Sequence, residues 1–248
     1  MSPALFYAIL GVSVLVTSFI SGILGMAGGM ILMGILLLMM PLPAAMMMHG
    51  VTQLASNAWR ALLWRKSVDW RVFRGYVAGA MLALGLFAML QLVVSKPVAL
   101  IVMGLTPFVG LALPESLHLN VERRGHSFGC GVICSALSLT AGVSGPILDV
   151  FFVRSKMTRH AVVATKAMTQ SFSHLQKIIY FGAMVAGARG VVEPWLAAMM
   201  VLLAFTGTSL SRRVLERMND QSFRFWTRWT VIALGTYYIA NGVWLLLD

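Results

Sequence analysis

His49-Gly50-Val51-Thr52-Gln53-Leu54-Ala55-Ser56-Asn57-Ala58-Trp59-Arg60 is the stretch on which the reading of the fold turns. It sits inside an apolar run, Ala44 to Trp64, of about the 20 residues a helix needs to cross hydrocarbon. His49, Gln53 and Asn57 are four apart, so a helix stacks them on one face, with Thr52 and Ser56 flanking. Polar and ionisable groups at such depth are costly and face a bundle interior or water. The same face recurs 117 residues later as Lys166, Gln170 and His174, beside Thr169 and Ser173. The offset holds without a gap from Gly25 and Gly28 (paired with Gly142 and Gly145) through Ala44 with Ala161, Thr52 with Thr169, Gln53 with Gln170 and Ser56 with Ser173. His49 with Lys166, Asn57 with His174 and Arg60 with Lys177 keep polar or basic character. Apolar residues align by accident; polar positions inside apolar helices do not, so this is read as an internal repeat.

Outward from that stretch the whole chain is apolar. Of its 248 residues 59% are hydrophobic and 11% charged, at a mean hydropathy of +0.84, against about 25% charged in soluble domains. A soluble core of this length cannot hide so much apolar surface, whereas lipid accepts it. Eighteen methionines are supple packing material and point to no ligand. The net charge of +11 does not indicate nucleic acid, because the basic residues fall in short clusters between apolar runs, as the positive-inside rule expects. The first of them is Arg60, so the opening apolar run lacks the basic flank of a secretory signal and reads as a retained helix.

The spans are expected at Ala4–Leu24, Met30–Met40, Ala44–Trp64, Val72–Val94 and Pro97–Leu113, then Ser127–Leu139, Ile147–Val153, Ala161–Phe181, Pro194–Leu210 and Phe225–Leu247. The chain thus divides into a first repeat (1–114), a polar connector (115–126) and a second repeat (127–248). Placing the turn with Arg60, Arg65, Lys66, Arg71 and Arg74 in the cytoplasm also puts Arg123-Arg124, the cluster Arg154, Lys156 and Arg159, and the cluster Arg212, Arg213, Arg217, Arg224 and Arg228 there. The outer loops keep Lys96 and Arg189, and both termini lie outside. Matching loops of the two halves then face opposite sides, so the repeat is inverted. The fold class is an all-α integral membrane protein, a multi-pass helical bundle of two inverted repeats, each opening with a Gly-broken helix or re-entrant hairpin. Met30–Met40 gives only about 16 Å of helix, and whether the Gly break or Pro41–Pro43 lies near the bilayer centre stays open at this point.

Inverted repeats with interrupted helices are the usual plan of secondary transporters, whose substrate binds near the midplane. A Gly-rich break frees N–H donors, and the restarting helix adds its dipole, so an anion is attracted. The helices are expected to restart near Gly28-Gly29 and Gly145-Pro146, with Ser144 and Thr140 adding hydroxyl donors. Gly75 and Gly79 read as helix-packing positions. The candidate substrate-binding residues are Gly25, Gly28, Gly29, His49, Thr52, Gln53, Asn57, Gly142, Ser144, Gly145, Lys166, Thr169, Gln170 and His174. Lys166 is taken as the fixed positive charge, and Asp149 as its ion-pair partner or, like His49 and His174, a carrier of a coupling proton. Acidic residues are otherwise missing from the spans, which favours an anion over a cation. Cys130 and Cys134 are too few for a structural metal site and read as small buried apolar residues. No nucleotide loop, metalloprotease motif or nucleophile elbow is present, so no enzyme, cofactor or metal is expected.

Gly22-Ile23-Leu24-Gly25-Met26-Ala27-Gly28-Gly29 and Ala141-Gly142-Val143-Ser144-Gly145-Pro146-Ile147, with the polar helix after each, make the chain resemble the sulfite exporter TauE/SafE family of membrane transporters over nearly its whole length. The resemblance implies alternating access between inverted repeats without ATP hydrolysis, in a prokaryotic plasma membrane. The substrates it implies are small sulfur-containing or organic anions such as sulfite, sulfoacetate or other sulfonates. Two departures, Ala27 where the first motif commonly has another Gly and the polar His49 and Lys166, leave room for a different anion. The expected function is a secondary transporter, an exporter, with lipid and a small anion as partners, no nucleic acid, and self-association open. A passive anion channel and a non-transporting membrane assembly factor are the alternatives.

Overall fold

The computed structural model describes residues 2–114, 117, 119–186, 194–215 and 220–248, and all regular structure in them is helical. The helices are α1 (Pro3–Leu24), α2 (Met26–Met39), α3 (Leu42–Leu63), α4 (Trp70–Leu90), α5 (Lys96–Ala112), α6 (His126–Ala141), α7 (Gly145–Phe152), α8 (Arg159–Ala186), α9 (Pro194–Leu215) and α10 (Asp220–Leu247). Arg189, Arg217, part of the 115–126 connector and the side chains of Arg212, Arg213 and Arg224 lie outside the described residues. Starts are set locally. Ser2 Oγ accepts from the Leu5 N–H, Asp69 Oδ1 accepts from the N–H groups of Arg71 and Val72, and prolines occupy the first turns of α1, α3, α5 and α7, where a missing N–H costs nothing.

The interruptions are narrower than the sequence reading expected. α1 ends at Leu24, Gly25 alone turns the chain at φ +66°, and α2 resumes at Met26 rather than near Gly28-Gly29. Gly28 is helical and serves a different need: a Cβ there would lie 2.2 Å from the Thr17 carbonyl oxygen and 2.4 Å from the Ser21 nitrogen. The glycine lets α2 lie backbone to backbone on α1. In the second half Gly142 turns the chain at φ +78°, and α7 restarts at Gly145 as expected.

One end of the bundle is basic. There the Trp64 ring stacks on His160 at 4.5 Å, the Asp69 N–H donates to Thr165 Oγ1 and the Lys156 N–H donates to Glu122. At the other end Tyr7 meets Trp195 at 4.9 Å, and α10, on its way to the C-terminus, brings Gly242 onto Pro97 and Ile101. α1 starts and α2 finishes at this second end, whereas α6 starts and α7 finishes at the basic end, where the Val121 N–H donates to the Phe151 carbonyl. Each pair is a hairpin whose glycine tip points into the bundle, and the two enter from opposite ends. Their tips meet: Met26 Cβ is 2.5 Å from where a Cβ on Gly145 would stand. α3 and α8 pack on each other at the centre, α1 packs on α9 as α6 does on α4, and α5 packs on α10. Each pairing maps onto another, or onto itself, when every helix is exchanged with the one five places along.

Among the described residues four helices, Pro3–Leu24, Trp70–Leu90, Pro194–Ser211 and Phe225–Leu247, are long and apolar enough to cross a membrane. α3 and α8 have the length, at 22 and 28 residues, but are more polar. Their polar groups are turned inward: Thr52, Gln53, Asn57, Thr169, Ser173, His174 and Lys177 are buried, while Val12, Leu38, Met89, Leu202 and Trp244 face outward. That arrangement suits lipid and not water. Gly75 and Gly79 pack as read. A Cβ on Gly79 would stand 2.0 Å from the Phe128 carbonyl, which is how α4 lies against α6.

Candidate anion chamber between the helix breaks

The polar faces of α3 and α8 converge where the two hairpin tips meet. They enclose a chamber of about 30 Å³ lined by Ser21, Gly25, Met26, Gly29, Met30, His49, Gln53, Asn57, Arg60, Val143, Ser144, Gly145, Pro146, Gln170, Ser173 and His174. No acidic residue is among them, and Arg60 is the lining residue with a permanent charge. Three buried polar atoms on this wall have no hydrogen-bond partner: Gln53 Nε2, Arg60 Nε and His174 Nδ1. The Arg60 Nη2 is spent on Asn57 Oδ1 at 2.6 Å, and Asn57 Nδ2 donates to the Gln53 carbonyl at 2.8 Å. Unpaired amide and guanidinium donors this deep cost stability unless an acceptor fills the space.

A second cavity, about 320 Å³, adjoins the first at Gly25, Met26, Arg60, Gly145 and Gln170. It carries Asp149, Arg159 and Lys166 and forms a vestibule on the basic side of the chamber. Lys166 Nζ is ion-paired with Asp149 here, and both side chains are partly exposed. Among the described residues the far side is closed: fully buried Met33 and Met46 stand against Gly142, and fully buried Lys177 stands against His49. Lys177 Nζ lies 2.6 Å from His49 Nδ1 and donates to the Gly142 carbonyl at 2.8 Å. His49 Nε2 contacts the Gly29 carbonyl at 2.9 Å. A carbonyl only accepts, so Nε2 carries the ring proton and Nδ1 accepts from the lysine.

A model of the sulfite exporter TauE/SafE family matches residues 9–238. The chain belongs to that family. No curated protein and no solved structure matches it. As a TauE/SafE protein it is a membrane transporter, in keeping with its apolar spans.

Of the residues singled out from the sequence of this TauE/SafE protein, Gly25, Gly29, His49, Gln53, Asn57, Ser144, Gly145, Gln170 and His174 line the chamber. Lys166 and Asp149 line the vestibule instead. Gly28 is spent on packing, and Gly142 is behind the chamber wall with its carbonyl on Lys177. Thr52 and Thr169 bond the carbonyls of Met48 and Lys166 in their own helices and stay out of the lining. The neighbouring serines tie helices together: Ser56 to Thr208 and Ser173 to Tyr76, at 2.8 and 2.6 Å. Cys130 and Cys134 are buried free thiols. Arg60 and Lys177 carry a sequence signal beyond register and charge: each is three residues past Asn57 or His174 and continues the same helical face.

Proposed function

We propose that this protein is a secondary transporter that exports a small anion, most simply a sulfur oxyanion or organosulfonate such as sulfite or sulfoacetate. The observation that carries the reading is the set of unpartnered donors on a chamber wall that includes Arg60 and no carboxylate. An oxyanion offers several acceptor oxygens and a counter-charge in one small group, and charge-assisted bonds to it are stronger than neutral ones. Gln53, Gln170, Asn57 and His174 orient the oxygens, the α2 and α7 N-termini at Gly25 and Gly145 add partial positive charge, and Lys166 draws the anion into the vestibule. The hairpins entering from opposite ends, and the exchange of helix pairings between halves, support inverted repeats working by alternating access. The positive-inside rule makes the basic end cytoplasmic and both termini external, so the chamber is open to the cytoplasm. Asp149, His49 and His174 are the candidates for carrying a coupling proton.

The closed far side favours a transporter over a passive channel, which needs a path through. A thermal-shift panel on detergent-purified protein tests the reading, with sulfite, thiosulfate, sulfoacetate, taurine, sulfate, acetate and chloride at matched ionic strength. A ligand at about 100 times its Kd stabilises by roughly 2.7 kcal/mol when it binds only the folded state. The expected outcome is a selective shift for one or two sulfur oxyanions that Lys166→Ala removes or weakens. No shift with any anion, together with a stable co-purifying protein, would replace this reading with an assembly factor.

A further inference from the structure

The register that pairs the two halves sets Arg60 opposite Lys177, and the structure gives these two cations contrasting situations around one chamber. Arg60 is 18 residues into α3 and Lys177 is 18 residues into α8, so each is about 27 Å along its helix from the end where that helix begins. Because α3 and α8 begin at opposite ends of the bundle, the two cations stand on opposite sides of the hairpin tips. Arg60 faces the open chamber and leaves Nε unpartnered. Lys177 is sealed away, held by the Gly142 carbonyl and by His49, which in turn holds the Gly29 carbonyl. That chain of three hydrogen bonds joins the second hairpin to the first through α8 and α3. Gly142 is itself the repeat mate of Gly25, whose carbonyl accepts from Ser21 Oγ and which lines the chamber with Arg60. Neither α3 nor α8 contains an Asp or Glu. Lys177 is therefore a fully buried amine whose two protein partners, an imidazole and a carbonyl, are both neutral. To carry its charge there it needs a counter-anion, and a carried anion supplies what the helix pair lacks.

We propose that Arg60 and Lys177 are alternating counter-charges for the anion: the one on the open side is free to meet it, while the other seals the closed side. In the state seen here, Lys177 and His49 form the seal. In the opposite state Lys177 leaves His49 and Gly142 to face the far-side opening, and Arg60 turns onto the Gly25 carbonyl. This deepens the transporter reading and rests on it for the identity of the cargo, but the seal itself is testable without any anion.

The reporter is Val163→Cys, a half-exposed vestibule position, labelled with a maleimide in detergent without added anion. Lys177→Gln and, independently, His49→Ala remove the seal from its two partners. Each is expected to populate the far-open state, close the vestibule and slow labelling at least threefold, whereas Arg60→Gln leaves the rate unchanged or raises it. Unchanged labelling in both Lys177→Gln and His49→Ala, in protein that elutes as a single folded peak, overturns the proposal. His49→Ala introduces no charge change, so it decides the matter should Lys177→Gln not fold. Sulfite and thiosulfate thermal shifts on the same samples separate the two readings. Slowed labelling with no anion shift in wild type keeps the seal and refutes the cargo. Normal shifts with unaltered labelling keep the cargo and refute the seal.

Discussion

The tips of the two hairpins are built to one plan and put to different use. In the first half Gly25 alone breaks the helix, α2 lies against α1 through Gly28, and the nearby cation, Arg60, is open to a chamber. In the second half Gly142, Val143 and Ser144 separate the helices, α7 runs only from Gly145 to Phe152, and the nearby cation, Lys177, is bonded and buried. A strictly two-fold molecule would have both cations open or both sealed. The two hairpins thus stand in non-equivalent surroundings, and under the proposed alternating access such asymmetry keeps the two sides from opening together.

The comparison can be broken first at the glycines. Gly28→Val places a side chain 2.2 Å from the Thr17 carbonyl oxygen, and the hairpin is expected to lose about 3 kcal/mol, read as a collapse of the folded peak in gel filtration. Gly145→Ala meets Met26 Cβ, an atom of the other hairpin; it is expected to cost about 1 kcal/mol but to slow transport more than that loss implies. Equal stability losses at the two positions would mean that both glycines serve packing alone. Next come the cations. Arg60→Gln removes a charged donor from the chamber and is expected to weaken sulfite binding by about 1.5–3 kcal/mol, a tenfold to hundredfold rise in Kd, measured by titration calorimetry. Lys166→Ala, in the vestibule and already paired with Asp149, is expected to cost less, about tenfold, with a steeper loss at low ionic strength. A Kd more sensitive to Lys166 than to Arg60 would move the principal charge out to the vestibule. The smallest effects are expected at the paired serines. Ser56→Ala and Ser173→Ala each delete one interhelical bond, worth about 1 kcal/mol, and thermal unfolding should find the two nearly equal. A large inequality would show that the asymmetry of the tips reaches into the helix packing.

The helices themselves could be read from the chain, because hydropathy and proline fix their extent without reference to neighbours: α4, α5 and α9 begin within two residues of the spans read for them. The polar faces of α3 and α8 were equally plain, since a spacing of four residues places His49, Gln53 and Asn57 together whatever surrounds them. The sequence does not fix the first interruption, because glycine has two uses. At Gly25 it supplies a positive φ and at Gly28 it admits another backbone, and only the position of α1 separates the two roles. Lys166 and Lys177 were likewise indistinguishable by type.

What the sequence determined by itself was therefore the apolar exterior and the inward polar faces of α3 and α8, both of which follow from periodicity and the cost of polar groups in hydrocarbon. What only the tertiary structure decided was which cation is open and which is sealed. That depends on Gly142 and His49 arriving at Lys177 from different helices, and a contact between distant segments is set by how the hairpins dock, which no local spacing encodes.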